Sequence, residues 1–336
     1  MPNGKVFVQT NEADRNRVIA FRRADDGALE GMQSYETGGA GDGVPHLTSQ
    51  GSVVLTGDGS RLLVTNAGSG DLSVFAVSDD RLELLENVPT GEAPKSVAEH
   101  GALVFVVNTG DPSVAGFRVQ DGNIEPIARV ALPSGSDPAQ VGFTPDGSTL
   151  VVTDRGTDSI LLYPVAPDGR LAEPKAVPSS GPTPYGFAFS TDGTLLVTEA
   201  FGAATGKAAA SSYRVDGGTA APVSRSVGNG RSEICWAVVT NDDRYVFTTN
   251  FADGAVSRYA IGSDGSITLD DPVAATAVEG QTGLRDEALT RDGEFLYAID
   301  ADTGRIFGWA VGDAGTLRPV GAWEGVPETV AGLAAS

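Results

Sequence analysis

The chain has 336 residues, and 23 Lys and Arg against 44 Asp and Glu leave a formal charge of −21 at neutral pH. So acidic a surface repels phosphates and anionic headgroups, which excludes nucleic acid and membranes as expected partners. Cys235 is the only cysteine, so neither an intrachain disulfide nor a cysteine-cluster zinc site can form, as befits a reducing compartment. The start, MPNGKVFVQT, carries no basic segment followed by an apolar run, and no stretch approaches the roughly 18 apolar residues of a membrane span. The expectation is a soluble, cytoplasmic protein.

In chain order, KVFVQTN (5–11) reads as a strand without a preceding partner. Six copies of one unit follow: SQGSVVLTGDGSRLLVTNA (49–67), APKSVAEHGALVFVVNT (93–109), DPAQVGFTPDGSTLVVTD (137–154), TPYGFAFSTDGTLLVTEA (183–200), EICWAVVTNDDRYVFTTN (233–250) and GLRDEALTRDGEFLYAID (283–300). Most read as an alternating strand, an Asp-Gly-type turn and a second strand, which is a hairpin signature. Two more strand-like runs come after each hairpin, for example LSVFAV then LELLENV. The last segment, VPETVAGLAAS (326–336), is a first strand lacking its second, so the two chain ends together complete a seventh hairpin. Seven units in 336 residues give about 48 residues each, the size of a four-stranded propeller blade. The predicted fold is all-β, one seven-bladed β-propeller domain over residues 1–336. Its ring is closed by the C-terminal strand pairing with the N-terminal ones, which removes open sheet edges.

The strand–Asp-Gly–strand repeats TPDGSTLVVTD and STDGTLLVTEA, with SQGSVVL, SSYRV, CWAVVTNDDRYVFTTN and EFLYAI, resemble the propeller lactonase family. That family includes propeller-type 6-phosphogluconolactonases and the fungal carboxymuconate lactonising enzymes. The resemblance spans the chain and implies the seven-bladed fold. It also implies chemistry on lactones, or the reverse, lactonising reaction.

Candidate functional residues follow from blade geometry, since the first strand of each hairpin lies nearest the central channel. Its start presents Gln50, Lys95 with Ser96, Gln140, Tyr185, Cys235 with Trp236, Arg285 with Asp286, and Glu328. The ends of the second strands carry Asn11, Asn66, Asn108, Asp154, Glu199, Asn250 and Asp300, and one mouth is expected to collect both sets. Glu199 stands out because most other blades have Asn or Asp there, so a longer acid reads as a general base. His46, in the loop VPHLTSQ, is the candidate imidazole, since His100 sits beside a hairpin turn at the other rim. Arg285 and Lys95 are candidates to hold a carboxylate or a developing oxyanion. The catalytic candidates are therefore Glu199, His46 and Arg285. The substrate-binding candidates are Lys95, Gln140, Tyr185, Asp286, Asn250 and Glu328. Trp236 reads as packing, Tyr185 as packing or stacking, and Cys235 as a small buried hydrophobe, because its chain neighbours offer no base.

Glycine-rich GGAGDG (38–43) lacks the residues of a phosphate-binding loop and reads as an inter-blade connection. GAATGKAAASS (202–212) reads as a flexible loop over the mouth. The expected activity is a cofactor-independent, lactonase-like hydrolysis of a lactone or related cyclic carboxylic acid derivative, with an anionic or lactone small molecule as substrate. Two alternatives stay open: an isomerase, cycloisomerase or lyase working by proton transfer on an unsaturated carboxylate, and a non-enzymatic interaction scaffold. Glu199 with Asn66, Asn108, Asn250 and Asp300 forms an oxygen-rich set that could suit Ca²⁺ or Mg²⁺, yet sevenfold repetition makes such a ring without a metal, and none is expected. The expected state is a monomer.

Overall fold

The computed structural model describes residues 4–45, 50–120, 123–278 and 280–336. Among these residues the strands form seven four-stranded sheets, arranged as the blades of a propeller. Blade 1 is the composite one. Gly4–Gln9, Arg17–Arg23 and Leu29–Glu36 are joined by Ala331–Ala335, which pairs antiparallel with the first of them in the register Val6↔Ala335, Phe7↔Ala334, Val8↔Leu333. The ring is thus closed by hydrogen bonds between the two ends of the chain, as the split repeat predicts.

The Asp-Gly turns form because their side chains close them locally. In blade 2, Asp58 Oδ1 accepts from Thr56 Oγ1 at 2.7 Å and from Ser60 N at 2.9 Å, and Gly59 takes φ +75°, a left-handed conformation that glycine adopts without a Cβ clash. Blade 4 repeats this with Thr144, Asp146 and Ser148, and blade 5 with Ser190, Asp192 and Thr194. These donors hold Asp58 at about 2 and depress Asp146 and Asp192 as well.

Alternation along each strand sends apolar side chains into the seams between blades. One seam packs Phe7, Val18, Val53, Leu62, Val64 and Phe75 of blades 1 and 2, and full burial of each contributes about 1.5–3 kcal/mol. The innermost strands are Val53–Leu55, Pro94–His100, Pro138–Phe143, Pro184–Phe189, Ile234–Val239, Leu284–Leu289 and Ala331–Ala335. Several carry a bulge near their start, at 94/96, 138/140, 184/187, 234/237 and 284/287. A bulge breaks the strict alternation and re-aims side chains, which turns the strand starts of blades 5, 6 and 7 toward one mouth of the channel.

The segment at 202–212 is not a loop throughout. A single 3-10 turn at Phe201–Ala203 leads into the third strand of blade 5, Ala209–Asp216, because Ala209–Ser212 pair with the second strand. GGAGDG does connect blades 1 and 2, between Leu29–Glu36 and Val53–Leu55. No helix among the described residues is long and apolar enough to cross a membrane.

Candidate active site at the channel mouth

The floor of the mouth is set by a glutamine. Gln50, at the entry to blade 2, donates its Nε2 to Ala237 O at 2.9 Å and accepts from Ala237 N at 3.2 Å, so its amide spans the axis to blade 6, three blades away. Gly186 makes room: a Cβ there would stand 2.2 Å from Gln50 Oε1. Ser96 Oγ donates to Gln50 O at 2.6 Å and accepts from Val141 N at 3.2 Å. Gln140 uses its amide the same way on blade 5, donating to Phe187 O at 3.0 Å and accepting from Phe187 N at 2.6 Å. Both glutamine amides are thus committed to backbone groups, Gln50 across the axis and Gln140 on the neighbouring blade.

Above this floor, the strand starts of blades 5, 6 and 7 converge. Tyr185, Cys235 and Trp236 pack together with Ala139 and Phe251, and the Tyr185 and Trp236 rings meet edge to face with centroids 5.8 Å apart. Arg285, only 2% exposed, lays its guanidinium over Phe251, 5.5 Å from the ring centroid. Its Nη1 donates to Pro45 O and to Val330 O. Arg155 covers the other side of Tyr185 at 5.1 Å and pairs with Asp137 at 2.8 Å. Arg285 Nε and the Tyr185 hydroxyl oxygen are buried here with no hydrogen-bond partner among the described residues. Burial pushes the Tyr185 phenol well above its ordinary value, against the pull of Arg155 and Arg285, so it stays neutral and able to donate. Burial also pushes the Cys235 thiol up, which makes it a poor nucleophile.

Of the sequence candidates, Arg285 and Tyr185 come together at this mouth. Lys95 is 3.7 Å from Asp42 in an ion pair, and Asp42 in turn accepts from Asn11 Nδ2 at 2.7 Å. Glu328 is exposed in the connection between blades 7 and 1. Asp286 lies on the axial side of the inner strand of blade 7. Its Oδ2 accepts from Leu333 N at 3.1 Å, and Gly51 N and Glu287 N also donate to the carboxyl. Burial outweighs these donors and raises Asp286 to about 8. Glu287 beside it is buried with neither oxygen hydrogen-bonded among the described residues, and its pKa is raised by burial and by Asp286. His46 lies outside the described residues.

The ends of the second strands do not face the mouth. A second strand is one step removed from the axis, so its side chains point above and below its own sheet rather than into the channel. Asn66 Nδ2 binds Ser73 Oγ at 2.6 Å within blade 2, and Asn250 Nδ2 binds Ser257 Oγ at 2.9 Å within blade 6. Glu199, fully buried, accepts from Ser211 Oγ at 2.6 Å, Gly181 N at 2.8 Å and Ser226 Oγ at 2.7 Å. Its extra methylene lets it tie the third strand, the fourth strand and the loop before blade 5 to one carboxylate. The oxygen-rich ring expected from the sequence is therefore spread over separate blades. Glu199→Ala strands these donors, and the expected outcome is a stability loss of about 3 kcal/mol in urea unfolding, with turnover of the folded protein retained.

Asp300 departs from this pattern. At the position matching Ser73, Ser211 and Ser257, blade 7 has Phe307. Asp300 Oδ1 accepts from Thr303 N at 3.0 Å, Thr303 and the Asp302 backbone both act on the carboxyl, and Oδ2 is buried with no close hydrogen-bond partner among the described residues. Burial raises its pKa, and it lies within electrostatic reach of Arg285. Arg155, Phe251 and the special status of Asp300 were not read from the sequence. The one available signal was the loss of the third-strand serine in blade 7.

A cavity of about 840 Å³ lies elsewhere, on the flank between blades 2 and 3 against Pro89, Phe117, Ile127 and Arg129. None of the partnerless buried polar atoms belongs to its lining, and Arg129 is paired with Asp111, so it offers less chemistry than the mouth.

Residues 1–137, 101–200 and 199–329 match the sequence profile described as lactonase, 7-bladed beta-propeller. No curated protein matches the chain. Solved structures with the same fold include a protein from Lactobacillus plantarum, at 18% identity over 99% of both chains with a TM-score of 0.77. A Bacteroides fragilis protein described as a candidate 6-phosphogluconolactonase has 19% identity over 100% of this chain and 98% of its own, with a TM-score of 0.75. The periplasmic gluconolactonase of Pseudomonas aeruginosa has 18% identity over 97% of each chain, also with a TM-score of 0.75.

Proposed function

Because the chain belongs to the lactonase family of seven-bladed β-propellers, we propose that it hydrolyses a lactone at this mouth. The observation that carries the proposal is a pair of buried groups on the inner-strand starts of blades 7 and 5, Arg285 Nε and the Tyr185 hydroxyl, neither with a hydrogen-bond partner among the described residues. Two preorganised donors in a water-poor site suit the oxyanion that forms when water adds to an ester carbonyl. The Pro45 carbonyl on Arg285 Nη1 occupies the place of a substrate oxygen, so substrate binding exchanges one carbonyl for another. Asp300, with one unused oxygen and a raised pKa, is the base proposed to take the proton from the attacking water. Protonated Asp300 then returns that proton to the ring-oxygen leaving group as the C–O bond breaks, giving the open hydroxy acid. Glu199 is assigned the structural role its donors define. The His46 expectation stands as part of the proposal.

The test is a panel of sugar lactones, simple γ- and δ-lactones and muconolactones, with initial rates taken above spontaneous hydrolysis. Tyr185→Phe removes one donor and is expected to lower kcat about 10²-fold. Asp300→Asn is expected to lower kcat by 10²-fold or more, within the usual range of about 10²–10⁴ for general-base catalysis, with KM little changed. His46→Ala, run beside them, shows whether an imidazole contributes. If no lactone opens faster than its spontaneous rate, the proposal falls. A cytoplasmic location is likewise proposed, supported by the single buried Cys235 and tested by cell fractionation.

A further inference from the structure

Blade 7 departs from the other blades at two positions around Asp300. Blade 4 is the comparison, because it too ends its second strand in an aspartate, Asp154. It also has an apolar residue, Leu161, at the third-strand position where blades 2, 5 and 6 have serine. Both oxygens of Asp154 are in use: Oδ1 accepts from Asp137 N at 2.8 Å and Gly156 N at 3.0 Å, and Oδ2 from Thr157 Oγ1 at 2.8 Å. Asp300 keeps Thr303 N and the Asp302 backbone, but it loses the donor that Asp137 supplies in blade 4. Gly283 holds that position, immediately before the inner strand, and its N–H donates instead to Phe251 O of blade 6 at 3.0 Å. Blades 3 to 6 carry a side chain there, on Ala93, Asp137, Thr183 and Glu233. In blade 7 the neighbouring acids fill that space: a Cβ on Gly283 would stand 2.6 Å from Asp300 Oδ1 and 2.8 Å from Asp302 Cβ. Gly283 also takes φ +117°, whereas Ala93, Thr183 and Glu233 lie between +52° and +59°. The Asp300 carboxylate is thereby set against the backbone that carries Arg285 two residues on.

We infer that Gly283 and Phe307 are positioning residues for Asp300 and together leave it one oxygen free to take a proton. This rests on the lactonase reading above, with Asp300 as its base. Phe307 removes the serine that engages Asn66, Glu199 and Asn250 within their own sheets. Gly283 gives up its side-chain space to the carboxylate and turns its N–H toward Phe251. Every donor on a carboxylate stabilises the ionised form and weakens it as a base, so an aspartate bonded as fully as Asp154 is poorly suited to the role.

The experiment is a double-mutant cycle of Gly283→Ala and Asp300→Asn on the purified protein, using a lactone that the wild type hydrolyses. Blade 3 holds an alanine at the matching place, Ala93 at φ +52°, and urea midpoints report whether the variant folds. Gly283→Ala is expected to lower kcat about tenfold or more with KM little changed, and to cause no further fall when added to Asp300→Asn. Effects that multiply in the double variant overturn the inference, since Gly283 would then act independently of Asp300. Unchanged kcat in a folded Gly283→Ala overturns it as well. Phe307→Ser and Phe307→Leu supply a second reading that does not depend on Gly283→Ala folding. Both lose aromatic packing, but only serine offers Asp300 a hydroxyl, so Phe307→Ser is expected to have a kcat about tenfold below that of Phe307→Leu. Equal kcat in the two folded variants overturns the inference. Full turnover by Asp300→Asn removes the base and this inference with it while leaving lactone hydrolysis standing, and failure to open any lactone of the panel sinks both.

Discussion

Arg285→Ala is expected to lower kcat/KM for a hydrolysed lactone by about 10³-fold, the upper range for loss of an oxyanion donor. The guanidinium is nearly inaccessible, stacked over Phe251 and bonded to the carbonyls of Pro45 and Val330. Truncation therefore removes packing as well as charge, and a fall in stability accompanies it. Arg285→Lys separates the two effects. Lysine keeps the positive charge and most of the stem, but it cannot place one N–H at the Nε position while donating another to Pro45, because its three donors radiate from a single atom. The lysine variant is thus expected to unfold at nearly the wild-type urea midpoint and to lose about 10²-fold in kcat, with a smaller change in KM. Full activity in a folded Arg285→Lys variant would sink the oxyanion role and leave Arg285 as a structural cation.

The second large effect concerns stability and pH. Asp286 is raised to about 8 from an ordinary 3.8, mainly by burial, and Glu287 is raised by burial and by its neighbour. The folded protein therefore binds more protons than the unfolded chain between about pH 4 and pH 8. Stability contributed by the protonated acids is fully present below the unfolded pKa and is lost as pH rises through the folded one. For Asp286 a shift of this size corresponds to an upper figure on the order of 5 kcal/mol across that window. The opposite sign applies to Asp58, Asp146 and Asp192, whose turn donors depress their pKa values. Their contribution is present above the unfolded value and is lost as pH falls toward 2. These turns are exposed, so solvent screening keeps their effect small.

Urea midpoints from pH 5 to pH 9 check the first claim. The wild type is expected to weaken steadily, whereas Asp286→Asn, which cannot ionise, follows a flatter curve and crosses above it at high pH. The position matters because Asp286 on blade 7 holds Leu333 of the closing strand and Gly51 of blade 2. Ionisation without a cation nearby loosens the place where the ring is sealed. Parallel curves for the two proteins would show that Asp286 does not carry the dependence.

The mouth was only partly readable from the residues. Arg285 drew attention because a cation at the start of an inner strand is unusual for a packed position, whereas Tyr185 read equally as packing or stacking, and the structure places both beside Phe251 and Trp236. Glu199 was misleading for the same reason. Its length suggested an acid reaching into the channel, but it reaches sideways to Ser211, Ser226 and Gly181. Gln140 also looked free in sequence and is bound at both ends of its amide to Phe187. Arg155 gave no sign, since only folding brings the turn after the second strand of blade 4 over Tyr185 of blade 5.

What the sequence by itself determined is the architecture. Strand alternation, Asp-Gly turns and the repeat split between the chain ends are local and periodic signals, and local hydrogen bonds and seam packing obey them blade by blade. What only the tertiary structure decided is which side chains meet. Bulges re-aim the inner strands, second-strand ends turn into their own sheets, Gln50 crosses the axis to blade 6, and Asp300 loses a serine partner to Phe307. Gln50 and Ala237 meet across 187 residues of chain, and even the short-range pairs depend on strand register and bulges, which hydrophobic periodicity does not encode.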